Sequence, residues 1–247
     1  MQPGTDDARL LELIRRFRGL RILVAGDLML DEFIWGRVSR ISPEAPVPVV
    51  NVTSESYYPG GAANVARNLR EFTPHTAVMG LAGKDAVGRR LLELLDTAGI
   101  DTAGVLEDEA ATTTVKTRVI ARNQQVVRVD RERHTVLSEA RFACAVQYLE
   151  QTAAGVDGIV VADYGKGFLS QPLADELCRL ARRHSKILTI DPHPHTSLTW
   201  RGATAIKPNR IETFSATGLP ESPPIEPVCR DEPLLQAARK LLGLWQT

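Results

Sequence analysis

Short apolar runs that end in glycine or a charged residue recur along this chain, each separated from the next by a helical pattern. The run over 21–25 leads into Gly26-Asp27, and runs over 76–81, 158–162, 186–190 and 203–206 repeat the layout. Strands that are apolar without alternation are buried on both faces, as in a parallel sheet. Between them, apolar spacings of three and four predict helices over about 64–72, 87–98, 139–151 and 173–184, with an earlier one over 10–17 and a last one over 233–245. This alternation leaves little choice beyond an α/β fold, a doubly wound and mostly parallel sheet with helices on both faces. Such sheets bind ligands beyond the carboxyl ends of their strands. Asp27, Asp163, Asp191 and Lys207 fall there.

Two segments break the rhythm. Residues 33–38 and 47–53 flank the proline-rich turn 42–48, and residues 113–121 and 125–129 flank Arg122-Asn123-Gln124. Both read as paired strands, which together predict a small β-sheet projecting as a lid from a single domain spanning 1–247. With the second loop centred on Asn123, Lys116 opposes Asp130 and Arg118 opposes Arg128. Like charges directly opposed destabilise a sheet. Either an anionic substrate group sits between the two arginines or water solvates them.

Charge excludes some partners. Lys+Arg and Asp+Glu both number 30, so no overall electrostatic footprint for nucleic acid or an anionic membrane exists. No run approaches the roughly 18 apolar residues of a membrane span, and the polar start at Thr5-Asp6-Asp7 lacks a signal-peptide layout. Cys144, Cys178 and Cys229 are odd in number and widely spaced. The first two lie in apolar helical patterns and are expected to be buried thiols. A cytoplasmic protein without a disulfide framework is the expectation.

Four short strings carry candidate chemistry. Gly60-Gly61-Ala62-Ala63-Asn64 reads as a bare turn entering a helix, either a plain tight turn or a loop that lets backbone and the Asn64 amide approach a ligand. Asp163-Tyr164-Gly165-Lys166-Gly167 follows an apolar strand. It is an ordinary turn or a loop offering amides and the Lys166 charge to a phosphate. Asp191-Pro192-His193-Pro194-His195 reads as a proline-stiffened loop rather than a metal site, which needs three or four converging ligands. Lys207-Pro208-Asn209-Arg210-Ile211-Glu212 places an amide and a carboxylate one helical turn apart. That spacing suits water and Mg²⁺ near a nucleotide phosphate, or a capping box, or both. No Walker A string and no Gly-x-Gly-x-x-Gly follow any strand, which argues against those nucleotide folds.

These strings, together and in this order, resemble the ribokinase-like (PfkB) carbohydrate kinases from about Leu20 onward. Gly60 to Ala66 is similar to the sugar-contacting signature of that family, and Asn209-Arg210-Ile211-Glu212 to its Asn-x-x-Glu element. Gly26 to Asp31, Ala45 to Val49, Lys116 to Ala121, Gln124-Gln125 with Arg128-Val129-Asp130, and Asp163 to Gly167 resemble the D-glycero-β-D-manno-heptose-7-phosphate kinase branch. The resemblance implies ATP- and Mg²⁺-dependent phosphorylation of the anomeric hydroxyl of the heptose 7-phosphate, on the way to ADP-heptose for lipopolysaccharide. It implies sugar-hydroxyl contacts from Asp27, Asp31, Gly60, Gly61 and Asn64. We place Lys116, Arg118, Arg128 and Lys166 around the 7-phosphate, with Asp163 in the Lys166 loop and Asp130 as a further contact or an orienting group. Lys207, Asn209 and Glu212 are then nucleotide residues, Glu212 reaching Mg²⁺ through water. A homodimer through the lid is implied as well.

One departure is plain. The Gly-Ala-Gly-Asp string that carries the base and anion hole of the family occurs nowhere in 1–247. The expectation is a C-terminally incomplete kinase domain that binds sugar phosphate and turns it over poorly. Another sugar kinase of this fold, and a non-catalytic sugar-phosphate-binding or dimerisation module, are the alternatives.

Overall fold

The strand–helix alternation closes into a six-stranded parallel sheet carrying a second, four-stranded sheet. A computed structural model describes residues 3–193 and 196–246. In chain order the strands are β1 (Arg21–Gly26), β2 (Leu28–Ile41), β3 (Pro48–Gly61), β4 (His75–Gly83), β5 (Asp101–Asp108), β6 (Thr114–Ala121), β7 (Gln124–Arg131), β8 (Gly158–Ala162), β9 (Ile187–Asp191) and β10 (Ala205–Ile206). The helices are α1 (Pro3–Phe17), α2 (Ala62–Arg70), α3 (Ala86–Thr97), α4 (Glu139–Thr152), α5 (Gln171–Arg183), α6 (Arg210–Thr217) and α7 (Glu232–Trp245).

The main sheet has the order β10-β9-β8-β1-β4-β5, with every neighbouring pair parallel. Its strands are apolar on both sides because both sides carry a core. Leu23, Ala25, Ile159, Val161, Leu188 and Ile190 pack with α4, α5 and α7. Val24, Val78 and Ala162 pack with Ala62, Ala63 and Ala66 of α2 and with Leu91 and Leu95 of α3. The doubly wound expectation is met. The second face is less fully covered: beyond α2, Ile187 stays exposed, and a groove of 300 Å³ runs between Val65, Val160, Thr189, Asp191 and Lys207.

The lid sheet has the order β3-β2-β6-β7. β2 and β3 are antiparallel and 14 residues each, β2 and β6 are parallel, and β6 and β7 form the hairpin. The lower part of the lid is core: Leu28, Leu30 and Val115 are buried with α2 and α3. The apolar signal at 33–38 therefore marked only the middle of a strand that starts one residue after Asp27.

Several expectations change. Gly60-Gly61 is the end of β3, paired with Met29 and Leu28, rather than a free turn. The second hairpin turns on two residues, Arg122 and Asn123, both at positive φ, instead of three. A register shift between Val119 and Ile120 offsets that shorter turn, so Lys116 still opposes Asp130 and Arg118 still opposes Arg128. Cys144 is exposed on α4, while Cys178 is buried as expected and Cys229 is exposed; all three are free. β5 and most of α6 were not anticipated. Among the described residues no helix is long and apolar enough to cross a membrane.

Candidate active site

Four successive neighbours in the main sheet deliver polar residues to one edge. β1 ends before Asp27, β8 before Asp163, β9 at Asp191 and β10 before Lys207. Asp27 is 2 % exposed. Its Oδ2 accepts the backbone N–H groups of Tyr164 at 2.9 Å and Lys166 at 3.1 Å, and its Oδ1 accepts that of Phe168 at 3.2 Å. The carboxylate thus moulds the 163–168 loop, and sequence reasoning, which offered it to sugar hydroxyls, missed this work. Burial pushes its pKa up, and the three amide donors counter only part of that shift.

Asp163 plays a similar part. Its Oδ1 accepts from the Gly165 amide at 2.9 Å and its Oδ2 from the Thr196 hydroxyl at 2.6 Å, tying this loop to the next one. Lys166 leans the other way, with Nζ 2.8 Å from Glu132 Oε2 just past β7. Tyr164 of the same loop is a site residue that local spacing does not flag. Its phenol is half-buried, and burial followed by the charges of Asp191 and Asp31 raises its pKa. His193 lies against the same loop, since a Cβ on Gly165 would stand 3.0 Å from its Nδ1. Its sequence partner His195 lies outside the described residues.

The lid presents one polar face at its base. Asp31 of β2 stands between Tyr58 of β3 and Lys116 of β6, and beyond Lys116 comes Asp130 of β7. One step up, Phe33, Arg118 and Arg128 follow in a row. Arg118 is bound to Asp31 at 2.5 Å. Arg128 grips Asp130 with two bonds, at 2.8 and 3.0 Å. Each of the opposed arginines therefore has its own carboxylate, which is how the sheet tolerates them. Lys116 has no ion-pair partner among the described residues. Phe33 stacks with Trp35 and meets Tyr58 edge to face.

Two glycines are needed here. A Cβ on Gly60 would lie 2.6 Å from Asp31 Oδ2, so the Asp31 carboxylate occupies the space that a side chain would fill. Gly61 has φ +56°, and a Cβ there would meet the Asp27 carbonyl oxygen at 2.5 Å. The Ala62 amide donates to that same carbonyl at 3.0 Å, which starts α2 directly from the lid strand. Asn64 stands exposed in the first turn of α2.

Lys207 reaches back to Asp191 at 3.0 Å, a bond that raises its pKa. Asn209 caps α6: its Oδ1 accepts the Glu212 N–H at 2.9 Å, while its own N–H donates to Glu212 Oε2 at 2.6 Å. The capping box foreseen as one reading of this spacing is present. Arg210 between them is locked to the buried Asp231 at 2.5 Å and to the Ser222 carbonyl, fixing the start of α6. Among the described residues no group of three or more His, Cys, Asp or Glu converges as a metal cage. The half-buried Glu212 carboxylate, whose two oxygens accept from the Asn209 backbone and side-chain amides, fits at most an outer contact to a phosphate-borne Mg²⁺, which keeps several waters.

A parallel doubly wound sheet with a β-lid over its carboxyl edge defines a ribokinase-like fold. Residues 21–240 match the pfkB family carbohydrate kinase domain. The chain belongs to this family. It is 40 % identical over 203 residues to the bifunctional protein HldE of Desulfatibacillum aliphaticivorans, covering 82 % of this chain and 42 % of that protein. It is 37 % identical over 238 residues to the HldE of Paramagnetospirillum magneticum, covering 96 % and 47 %. The chain thus spans less than half the length of these curated relatives. The solved ribokinase of Giardia lamblia superposes with a TM-score of 0.66 at 16 % identity, covering 91 % of this chain and 70 % of that one. An Arabidopsis thaliana ribokinase solved with ribose and ATP gives 0.61 at 14 %, covering 91 % and 69 %.

Proposed function

We propose that this chain is the sugar-kinase portion of a protein that transfers the γ-phosphoryl group of ATP to the anomeric hydroxyl of D-glycero-β-D-manno-heptose 7-phosphate in the cytoplasm. The observation that carries this reading is the lid base, where Lys116, Arg118 and Arg128 stand on one face beside Asp31. A neutral sugar has no use for that charge, whereas a sugar phosphate needs it. Relatives named HldE and a ribokinase neighbour solved with ATP support the same reading.

In this reading Asp31, the Gly60-Gly61 backbone and Asn64 hold sugar hydroxyls. Lys116, Arg118, Arg128 and Lys166 surround the phosphate, and Asp130 orients Arg128. Asp27 and Asp163 shape the loop that carries Lys166. Lys207 and Asn209 would hold the nucleotide phosphates, and Glu212 would meet them only through the waters of a bound Mg²⁺. Mg²⁺ supplies charge neutralisation on the β- and γ-phosphates. Asp27 is sequestered by amides and Asp31 by Arg118, so neither is free to accept the proton of the attacking hydroxyl.

A second reading for the polypeptide 1–247 is a sugar-phosphate-binding module, which the same cationic lid base supports. The lid offers a surface for a homodimer. β7 is an exposed edge strand with Val127 and Val129 half-exposed, and an antiparallel second copy centred on Val129 would set Arg128 against Asp130 in both directions.

The test is calorimetric titration of 1–247 with the heptose 7-phosphate, ribose and fructose 6-phosphate, alongside ADP release with ATP and Mg²⁺. Tightest binding of the heptose 7-phosphate is expected, with ADP release that depends on that sugar. Preference for ribose would overturn the substrate assignment, and rapid turnover would overturn the binding-module reading.

A further inference from the structure

The charge on the lid face is not all supplied by the lid. Arg67, on α2, places its guanidinium 5.8 Å from the centre of the Tyr58 ring. Tyr58 is the register partner of Asp31, and its ring meets Phe33 edge to face at 5.7 Å. Arg118 covers Phe33 from the lid side at 5.2 Å. One guanidinium from α2 and one from the lid therefore cover the two rings of a single aromatic pair. Arg67 also shares a face of α2 with Asn64, three residues earlier.

The pairing of these cations is uneven. Arg67, Lys116, Arg118 and Arg128 give four positive charges, against the carboxylates Asp31 and Asp130. Arg118 and Arg128 take the two carboxylates. Arg67 and Lys116 have no ion-pair partner among the described residues, which leaves a net charge of two for an incoming group. A phosphate monoester carries close to two negative charges near neutral pH.

We propose that Arg67 is a specificity-determining ligand of the substrate phosphoryl group. It acts from α2 while Lys116 acts from the lid, so the bound phosphate joins the two. This rests on the sugar-phosphate reading above and extends it to a residue outside the lid. A guanidinium resting on an aromatic ring is already partly desolvated and oriented, which suits it to exchange a ring contact for a phosphate oxygen.

Arg67→Gln and Arg67→Lys should be titrated with the heptose 7-phosphate and with the unphosphorylated heptose, at low and high salt, with melting curves as a folding control. Arg67 is exposed, so unchanged melting is expected. Arg67→Gln should weaken binding of the 7-phosphate by about tenfold or more and leave the heptose unchanged, with a shallower salt dependence. Arg67→Lys should fall between. If the wild type prefers the 7-phosphate and Arg67→Gln keeps that preference, the proposal fails alone. It also fails if Arg67→Gln weakens both sugars equally. If the wild type does not distinguish the two sugars, the substrate reading fails and takes the proposal with it.

Discussion

Arg118 and Arg128 face each other across β6 and β7, yet each is held by a carboxylate on its own side, Asp31 for the first and Asp130 for the second. Asp31 is thus the counter-ion of Arg118 and a candidate sugar ligand at once. Asp31→Asn should weaken sugar binding about tenfold or more while preserving affinity for inorganic phosphate, because Arg118 is then unpaired. Titration with each probe checks this; parallel losses would contradict it.

Asp27→Ala leaves three backbone N–H groups of the 164–168 loop without their acceptor. A stability loss of roughly 2–4 kcal/mol is expected in denaturant titration. Burial raises the Asp27 pKa above its ordinary 3.8. The sign follows: the contribution of this group is full below 3.8 and is lost as pH rises through the folded-state value. Asp27→Asn should remove that part of the pH dependence, which paired unfolding curves will show.

Gly60 and Gly61 should respond differently to alanine. Gly61→Ala forces a side chain onto positive φ and against the Asp27 carbonyl, costing about 2–3 kcal/mol of stability. At Gly60 the backbone has no positive φ, and the nearest atoms a methyl would meet are side-chain atoms, Asp31 Oδ2 at 2.6 Å and Met29 Cγ at 2.8 Å. Gly60→Ala should cost about 1 kcal/mol and appear mainly as weaker sugar binding.

The three thiols should divide two to one. Burial pushes Cys178 up to about 11, so it stays protonated and enclosed. Cys144 and Cys229 are exposed. Ellman's reagent should titrate two thiols quickly and the third only on unfolding; three fast thiols would contradict the core position of Cys178.

The parallel sheet was legible because strands with a core on both faces carry no alternation, and Leu23, Val24 and Ala25 show the pattern at its plainest. β5 escaped because an edge strand such as Asp101–Asp108 mixes polar and apolar residues. The lid register was readable by centring the loop on Asn123, although the two-residue turn and the bulge that set it were not. In the site, the hairpin charges pointed to Lys116 and Arg118 and the family resemblance to Asp31, and the structure brings the three together. What stayed hidden were relations across the chain. Asp27 serves a loop 137 residues away, Lys166 turns to Glu132, and Arg67 reaches Tyr58. Spacing reports local periodicity and cannot report which loop a buried carboxylate will face.

β2 and β3 rise from the residues that flank the site, Asp27 at one root and Ala62 at the other, and run 14 residues each. At about 3.3 Å per residue they form an arm of roughly 45 Å, so a tilt of about 5° carries the tip some 4 Å while Asp31, near the root, travels only about 1 Å. Such an arm is a lever with its fulcrum beside the candidate sugar site. Its far end can sweep, twist at the bulges after Trp35 and Val38, or drift in sequence while the contacts at the fulcrum keep their spacing.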